Sequence, residues 1–307
     1  MLTTESSRVN CRTCGTHDVY CCGARVTVSD KKVSVKSRPV VANCPLHESM
    51  YGVKEISTQT VQASVEGKVC EFGFCCKTRR FNADPIVAYG ASEMMSFWLE
   101  NGMIDRAVVV CDGAGTVITR NGRLVQGIGA RLTGIIKTSP IRQVIKHIER
   151  NGGEVLEKTT ARIDQVAGVR RAFDTGSARV AVSVASFQAN AVTKIRDLER
   201  RRGEEVVVFS VCNTLAKDAD VKHIEKADIV CASASKILRN KVAKNALLQV
   251  GMTIPVYALT QKGKELVLAY LASFNDKLVV FRTQRLPYDV KNKGPRLRAR
   301  SFSKQQL

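Results

Sequence analysis

Long apolar runs are missing from this sequence of 307 residues. No stretch reaches the ~18 apolar residues that cross a bilayer, which argues against a membrane-spanning helix. The opening MLTTESSRVN lacks the basic start and apolar core of a secretory leader, so a cytoplasmic location is expected. Acidic residues are scarce: 28 Asp and Glu stand against 48 Lys and Arg, a formal charge of +20. That balance favours an acidic partner, whether nucleic acid, an anionic small-molecule ligand or an acidic protein surface. Aromatic residues are also few, with one Trp, six Tyr and ten Phe, and only Phe302 falls in the basic C-terminal run KNKGPRLRARSFSKQQL. This is a poor platform for stacking bases, which ranks an RNA-binding regulator below other readings. No H-E-x-x-H, no Ser-His-Asp arrangement and no G-K-[ST] loop occurs.

Cysteine, by contrast, is abundant. Seven of the eleven cysteines precede residue 76. Disulfide frameworks belong to small secreted domains, so clustering at one end of a cytosolic chain favours metal ligation. Cys11 and Cys14 form a C-x-x-C knuckle, and Cys44 and His47 repeat its spacing. Between them ARVTVS and KKVSVKS alternate with period two about a DKK turn, the pattern of a β-hairpin. Two knuckles at the ends of one hairpin predict a Cys₃His zinc site. Cys21, Cys22 or Cys75 are alternative fourth ligands, and a four-thiolate set would suit an iron-sulfur cluster. The head also resembles the iron–sulfur segment that opens molybdopterin oxidoreductases, with Asp18 where that family has its third cysteine.

Three parts are expected: a Cys-rich zinc-ribbon-like or iron-sulfur head over 1–48, an α/β body over 49–284 and a basic, flexible tail over 285–307. From about residue 105, short apolar strands (RAVVVC, ARVAVSV, EEVVVFSV, DIVCAS, TIPVYALT) alternate with amphipathic helices. This predicts an α/β fold, Rossmann-like, with a mainly parallel sheet and flanking helices. SASKILRNKVAKNALLQVG is expected to be one of those helices, and KLVVFRT a strand that could pair between subunits.

Ligands of such sheets bind beyond the C-terminal strand ends. Asp112, Gly113 and Gly115 follow one predicted strand, and Gly127 and Gly129 come soon after. They match neither a Walker loop nor a G-x-G-x-x-G fingerprint, but their amides could cradle an anion. Thr138 and Ser139 read first as helix caps, with free amides nearby as an anion site. Glu93 and Lys236, each in a first helical turn, are weak catalytic candidates beside Asp112. Asp164 and Gln165 read as capping or buried structural groups.

The segments CRTCG, NCPLH, FGFC, GASEMM, VVVCDGAGTVIT, LVQGIGARLTGIIKTSPI, IDQVAGV, CASASK and IPVYALTQKGKELVL occur in this order. Together they resemble methanogenesis marker protein eight, an archaeal family, over roughly residues 10 to 270. The resemblance implies an accessory protein of methane formation, associated with methyl-coenzyme M reductase through maturation, activation or cofactor handling. It carries no assigned reaction. Cys21, Cys22, Cys76 and the high positive charge depart from the family pattern.

Overall fold

The computed structural model describes residues 14–29, 32–130, 134–290 and 293–298. Its N-terminal portion is β-rich. Strands β1 (Thr16–Cys21), β2 (Ala24–Ser29) and β3 (Lys32–Val35) run antiparallel, and β4 (Val41–Asn43) leads into α1 (Pro45–Tyr51) and α2 (Thr58–Phe72). The β1–β2 turn is Cys22 and Gly23, with φ of 51° and 76°. Two consecutive positive φ values are what a type I′ hairpin turn requires, and glycine supplies the second without steric cost.

The body follows as α3 (Ala91–Glu100), β5 (Arg106–Cys111), β6 (Gly115–Thr119), α4 (Gly122–Gly129), β7 (Gly134–Lys137), α5 (Arg142–Arg150) and β8 (Gly153–Val155). It continues with α6 (Gln165–Asp174), β9 (Arg179–Ala185), α7 (Asn190–Arg202), β10 (Glu205–Val211), α8 (Asp218–Ile224) and β11 (Ile229–Cys231). Strands β12 (Leu248–Val250) and β13 (Val256–Ala258), helix α9 (Gln261–Ala272) and a two-residue β14 (Arg296–Leu297) complete it.

The central sheet has eight strands in the order β12-β13-β11-β10-β9-β5-β6-β8. Its middle four, β5, β9, β10 and β11, are parallel, and both margins are antiparallel. β9 and β10 are apolar and buried over most of their length, as strands covered on both faces must be. Trp98 of α3, Leu124 of α4, Ile148 of α5 and Leu266 of α9 pack one face. Phe173 of α6, Val192 and Ile195 of α7 and Ile224 of α8 pack the other. This is the expected α/β class. Antiparallel β6 follows β5 directly because the three residues Asp112, Gly113 and Ala114 turn the chain back, with Gly113 at φ 78°.

Strand β7 leaves the body to join the hairpin, completing a second sheet in the order β3-β2-β1-β7. The segment expected to be a helix at SASKILRNKVAKNALLQVG is instead a short π-type turn, Leu238–Val242, a 3₁₀ turn, Ala243–Asn245, and then β12. KLVVFRT forms no strand: Val279 and Val280 are exposed and lie outside every sheet. The described part of the basic tail pairs, through β14, with β4. Among the described residues, no helix is long and apolar enough to cross a membrane.

Candidate functional site: the crevice under the hairpin

The hairpin sheet lies across the C-terminal ends of the parallel strands. Tyr20 of β1 meets Phe187, which follows β9, at 5.5 Å between ring centroids. Gly134 of β7 sits against Phe187 and Cys212, and Gly23 of the turn against Leu215. Cys212 and Leu215 follow β10, so strands that end side by side are capped by one small sheet. Open α/β sheets take their ligands at this edge.

Asp112 anchors the crevice beside β5. Its side chain is fully buried, and both oxygens are engaged. Oδ2 accepts the Cys75 amide at 2.7 Å, and Oδ1 accepts Arg79 Nε at 3.0 Å. Arg79 also donates to the carbonyls of Gly127 and Ile128 at the end of α4, and its guanidinium lies over the rings of Phe74 and Phe81. A buried carboxylate held this way is a structural ion pair, with no lone acceptor set aside for a substrate proton.

Next to it, Thr138 Oγ1 accepts the Gly113 amide at 2.8 Å and meets His17 Nδ1 at 2.6 Å. His17 Nε2 is 2.9 Å from the Cys14 carbonyl. Burial lowers the His17 pKa, against hydrogen bonding to Cys14 and the charges of Asp112 and Asp18. The neutral ring then donates from Nε2 and accepts the Thr138 hydroxyl at Nδ1. Ser139 brackets Thr16, accepting its amide and donating to its carbonyl, both at 3.0 Å. Thr138 and Ser139 therefore tie the head to the body. Helix α5 begins at Arg142 after Ile141, with no side-chain cap.

A thiol-rich group occupies the other end of β1. Cys22 Sγ is 3.8 Å from His47 Nδ1, and Cys44, the residue before α1, is its electrostatic neighbour. His47 is buried, its pKa lowered by burial and by Lys68, and its Nε2 has no hydrogen-bond partner among the described residues. The adjacent Cys21 and Cys22 titrate as a pair. Hydrogen bonding from Cys22 draws Cys21 down to about 6 against its burial, with help from Lys68 and Ser64. Loss of the second proton, at Cys22, is pushed far up by the neighbouring sulfur and by burial. The thiols of Cys75 and Cys111, by contrast, are held protonated chiefly by burial.

These positions bear on the expected metal centre. Cys11 lies outside the described residues. Cys14, whose amide donates to the Cys75 carbonyl at 3.1 Å, stands at one end of β1, and Cys22 with His47 at the other. A six-residue strand separates its ends by roughly 17 Å at ~3.3 Å per residue, far more than one tetrahedral ion bridges. The structure therefore does not bring Cys14 together with Cys44 and His47. Among the described residues, no group of three or more His, Cys, Asp or Glu side chains is placed to hold a metal. The Cys₃His set does not fit as one site.

The other expected residues fall into place individually. Gly127 and Gly129 belong to helix α4 rather than to a loop: a Cβ on Gly127 would press on Phe81, and one on Gly129 would meet Ser92 at 2.5 Å. They permit close packing. Gly115, at φ 71°, lies where a Cβ would meet the Ala161 carbonyl at 2.1 Å. Glu93 is buried and accepts from the Ile86 and Val87 amides, from Ser92 and from Gln126, which fixes the preceding loop. Lys236 is exposed. Asp164 caps α6 by accepting the Ala167 amide, and Gln165 is buried with Thr116.

Two residues of the crevice escaped sequence reasoning. Arg79 carries no sequence signal in KTRRF. Lys68 does: Val61, Ser64, Val65, Lys68 and Val69 recur at i, i+3, i+4, i+7 and i+8, so the lysine falls on the buried stripe of α2.

The molecule is thus a three-layer α/β protein whose strand ends are closed by a thiol-bearing hairpin. Over residues 17–272 it matches the family described as "Uncharacterized protein conserved in archaea (DUF2099)", and it belongs to that family. An uncharacterized protein of Methanocaldococcus jannaschii is 38% identical over 247 residues, which cover 80% of this chain and 86% of the relative.

Proposed function

We propose that this archaeal protein is an accessory factor of methane formation that serves the maturation, activation or cofactor handling of methyl-coenzyme M reductase. The pathway rests on the resemblance of the ordered sequence motifs to methanogenesis marker protein eight. The observation that carries a working site is the cluster of Cys21, Cys22, His47 and Lys68 at the hairpin turn. Thiols beside a buried cation suit the handling of a thiol-reactive or anionic group. The reductase, or its activation machinery, is the proposed acidic partner for a chain of charge +20.

A metal at the head, zinc or an iron–sulfur cluster, would draw on Cys11 and Cys14. Cys75 is the thiol whose backbone the fold sets beside Cys14. Zinc, iron and acid-labile sulfide, measured on protein purified without oxygen, test this part. The accessory role is tested separately, by co-purification with reductase subunits and by reductase activity in a deletion strain. Unchanged activity in that strain would end the reading.

A further inference from the structure

The chain after α9 leaves large apolar side chains in water. Val279 and Val280 are 91% and 76% exposed, and Leu278 and Phe281 on either side of them are exposed as well. Single exposed apolar residues are ordinary, but four in a row mark a surface that meets something else. The stretch belongs to no helix and no strand.

It is nevertheless anchored. Phe281 packs edge-on against Tyr288 at 4.9 Å between ring centroids. Tyr288 donates its amide to Gln249 Oε1 and accepts Gln249 Nε2 at its carbonyl, both at 2.8 Å. Gln249 lies on β12, the marginal strand of the central sheet. Leu247 before β12 and Met252 after it are exposed too. The apolar run is thus tied down beside the margin of the main sheet.

Charge and hydrogen bonding narrow what can cover it. Lys277, Arg282 and Arg285 border the run, all exposed, and no acid falls between 277 and 285. A second copy of the chain is a poor occupant. The antiparallel register that pairs all four apolar residues sets Lys277 opposite Arg282, and a parallel register sets each cation against itself. A lipid surface is also a poor occupant. Among the described residues the main chain of 278–281 makes no hydrogen bond within the protein, so lipid would remove its water and supply no partner. A segment added from another protein supplies those partners, and acidic side chains on it would meet the three cations.

We propose that Leu278–Phe281, with Tyr288 beside it, is a docking surface for an acidic protein, which contributes an apolar stretch bordered by Glu or Asp. The surface gives the acidic partner of the proposed function a place to bind. It rests on that reading only for which protein supplies the stretch.

The test uses the full chain and a fluorescein-labelled peptide with a centre of alternating Val and Thr and Glu at both ends. A twin peptide carries Lys in place of Glu. Anisotropy should rise to saturation with the acidic peptide and not with its twin. The double change Val279→Ser with Val280→Ser should weaken that binding about tenfold, the loss of two partly buried side chains, and leave the thermal midpoint unchanged because both residues are exposed. Lys277→Glu with Arg282→Glu should reverse the preference between the two peptides. The proposal fails if the acidic peptide does not bind, if the serine variant binds it as the parent does, or if that variant melts earlier. It fails also if the parent binds phosphatidylglycerol vesicles and not the peptide, which would assign the surface to lipid. Sedimentation of a dimer that the serine changes dissolve, without peptide binding, would assign it to a second copy instead. The deletion strain tests the reductase reading separately, so either can fail alone.

Discussion

Arg79 and Asp112 form an ion pair of 3.0 Å, with side chains only 5% and 1% exposed, between the segment after α2 and the end of β5. The pair ties the segment after α2 to the central sheet from inside, because Asp112 also holds the Cys75 amide and Arg79 also holds the end of α4. Removing one partner strands the other charge. Arg79→Met is expected to destabilise the fold by about 3–5 kcal/mol, the range for breaking a buried pair. Replacing both, as Arg79→Met with Asp112→Asn, should cost less than the sum of the single changes. Denaturant unfolding of the four proteins in a double-mutant cycle checks this, and additivity would show that the pair does not act as a unit.

Stability should fall in mild acid. His17, His47 and His147 all have pKa values lowered by burial. The unfolded chain takes up protons below about pH 6.5, whereas the folded protein resists them until lower pH. The stabilisation is therefore complete above the unfolded value and is lost as pH drops from there toward the lowered folded values. Urea midpoints measured between pH 8 and pH 5 should decline through this window. His17→Gln should flatten part of the decline, and an unaltered pH profile in that variant would show that His17 is not a contributor.

The turn at Cys22 separates structure from function. A type I′ hairpin prefers asparagine before glycine, and Cys22 holds φ of 51° in that position. Cys22→Asn is expected to leave stability unchanged or raise it by up to about 1 kcal/mol. It should also return the alkylation of Cys21 toward the pH range of an ordinary thiol, because the hydrogen bond that lowers its pKa goes with the sulfur. Peptide mapping of iodoacetamide adducts between pH 6 and pH 9 follows this directly.

Gly115→Ala tests the other glycine argument. The position has φ of 71°, and an added Cβ would fall 2.1 Å from the Ala161 carbonyl. Backbone strain of that kind costs about 1–3 kcal/mol before the clash is counted. The variant should unfold well below the parent in a thermal scan, whereas Gly152→Ala, also at positive φ but in open space, should lose less.

Much of the α/β scaffold was legible in the chain. VVVFSV and VAVSV are buried over most of their length, so each reads as an apolar run broken by a single serine, and the helix between them carries one apolar stripe. Asp164 as a cap and ARVTVS as a hairpin strand follow from local chemistry alone. The segment around Leu238 was misjudged because its helical spacing is genuine, but burial of Leu238 and Val242 under the sheet outweighs a weak propensity. The glycines of LVQGIG looked like a ligand loop because sequence cannot tell a glycine that turns the chain from one that lets another chain approach.

Local periodicity, turn residues and charge therefore determined the class of fold, the hairpin and the positive surface, since each depends on neighbours within one or two turns of chain. Which cysteines meet was decided only by tertiary structure. A strand of fixed rise carries Cys14 to one end of β1 and Cys22 to the other, while β7, more than a hundred residues later, locks that strand over the sheet. Lys68 entered the site in the same way. Its place on the buried stripe is written in α2, but its setting near Cys21 and Cys22 arises only from folding.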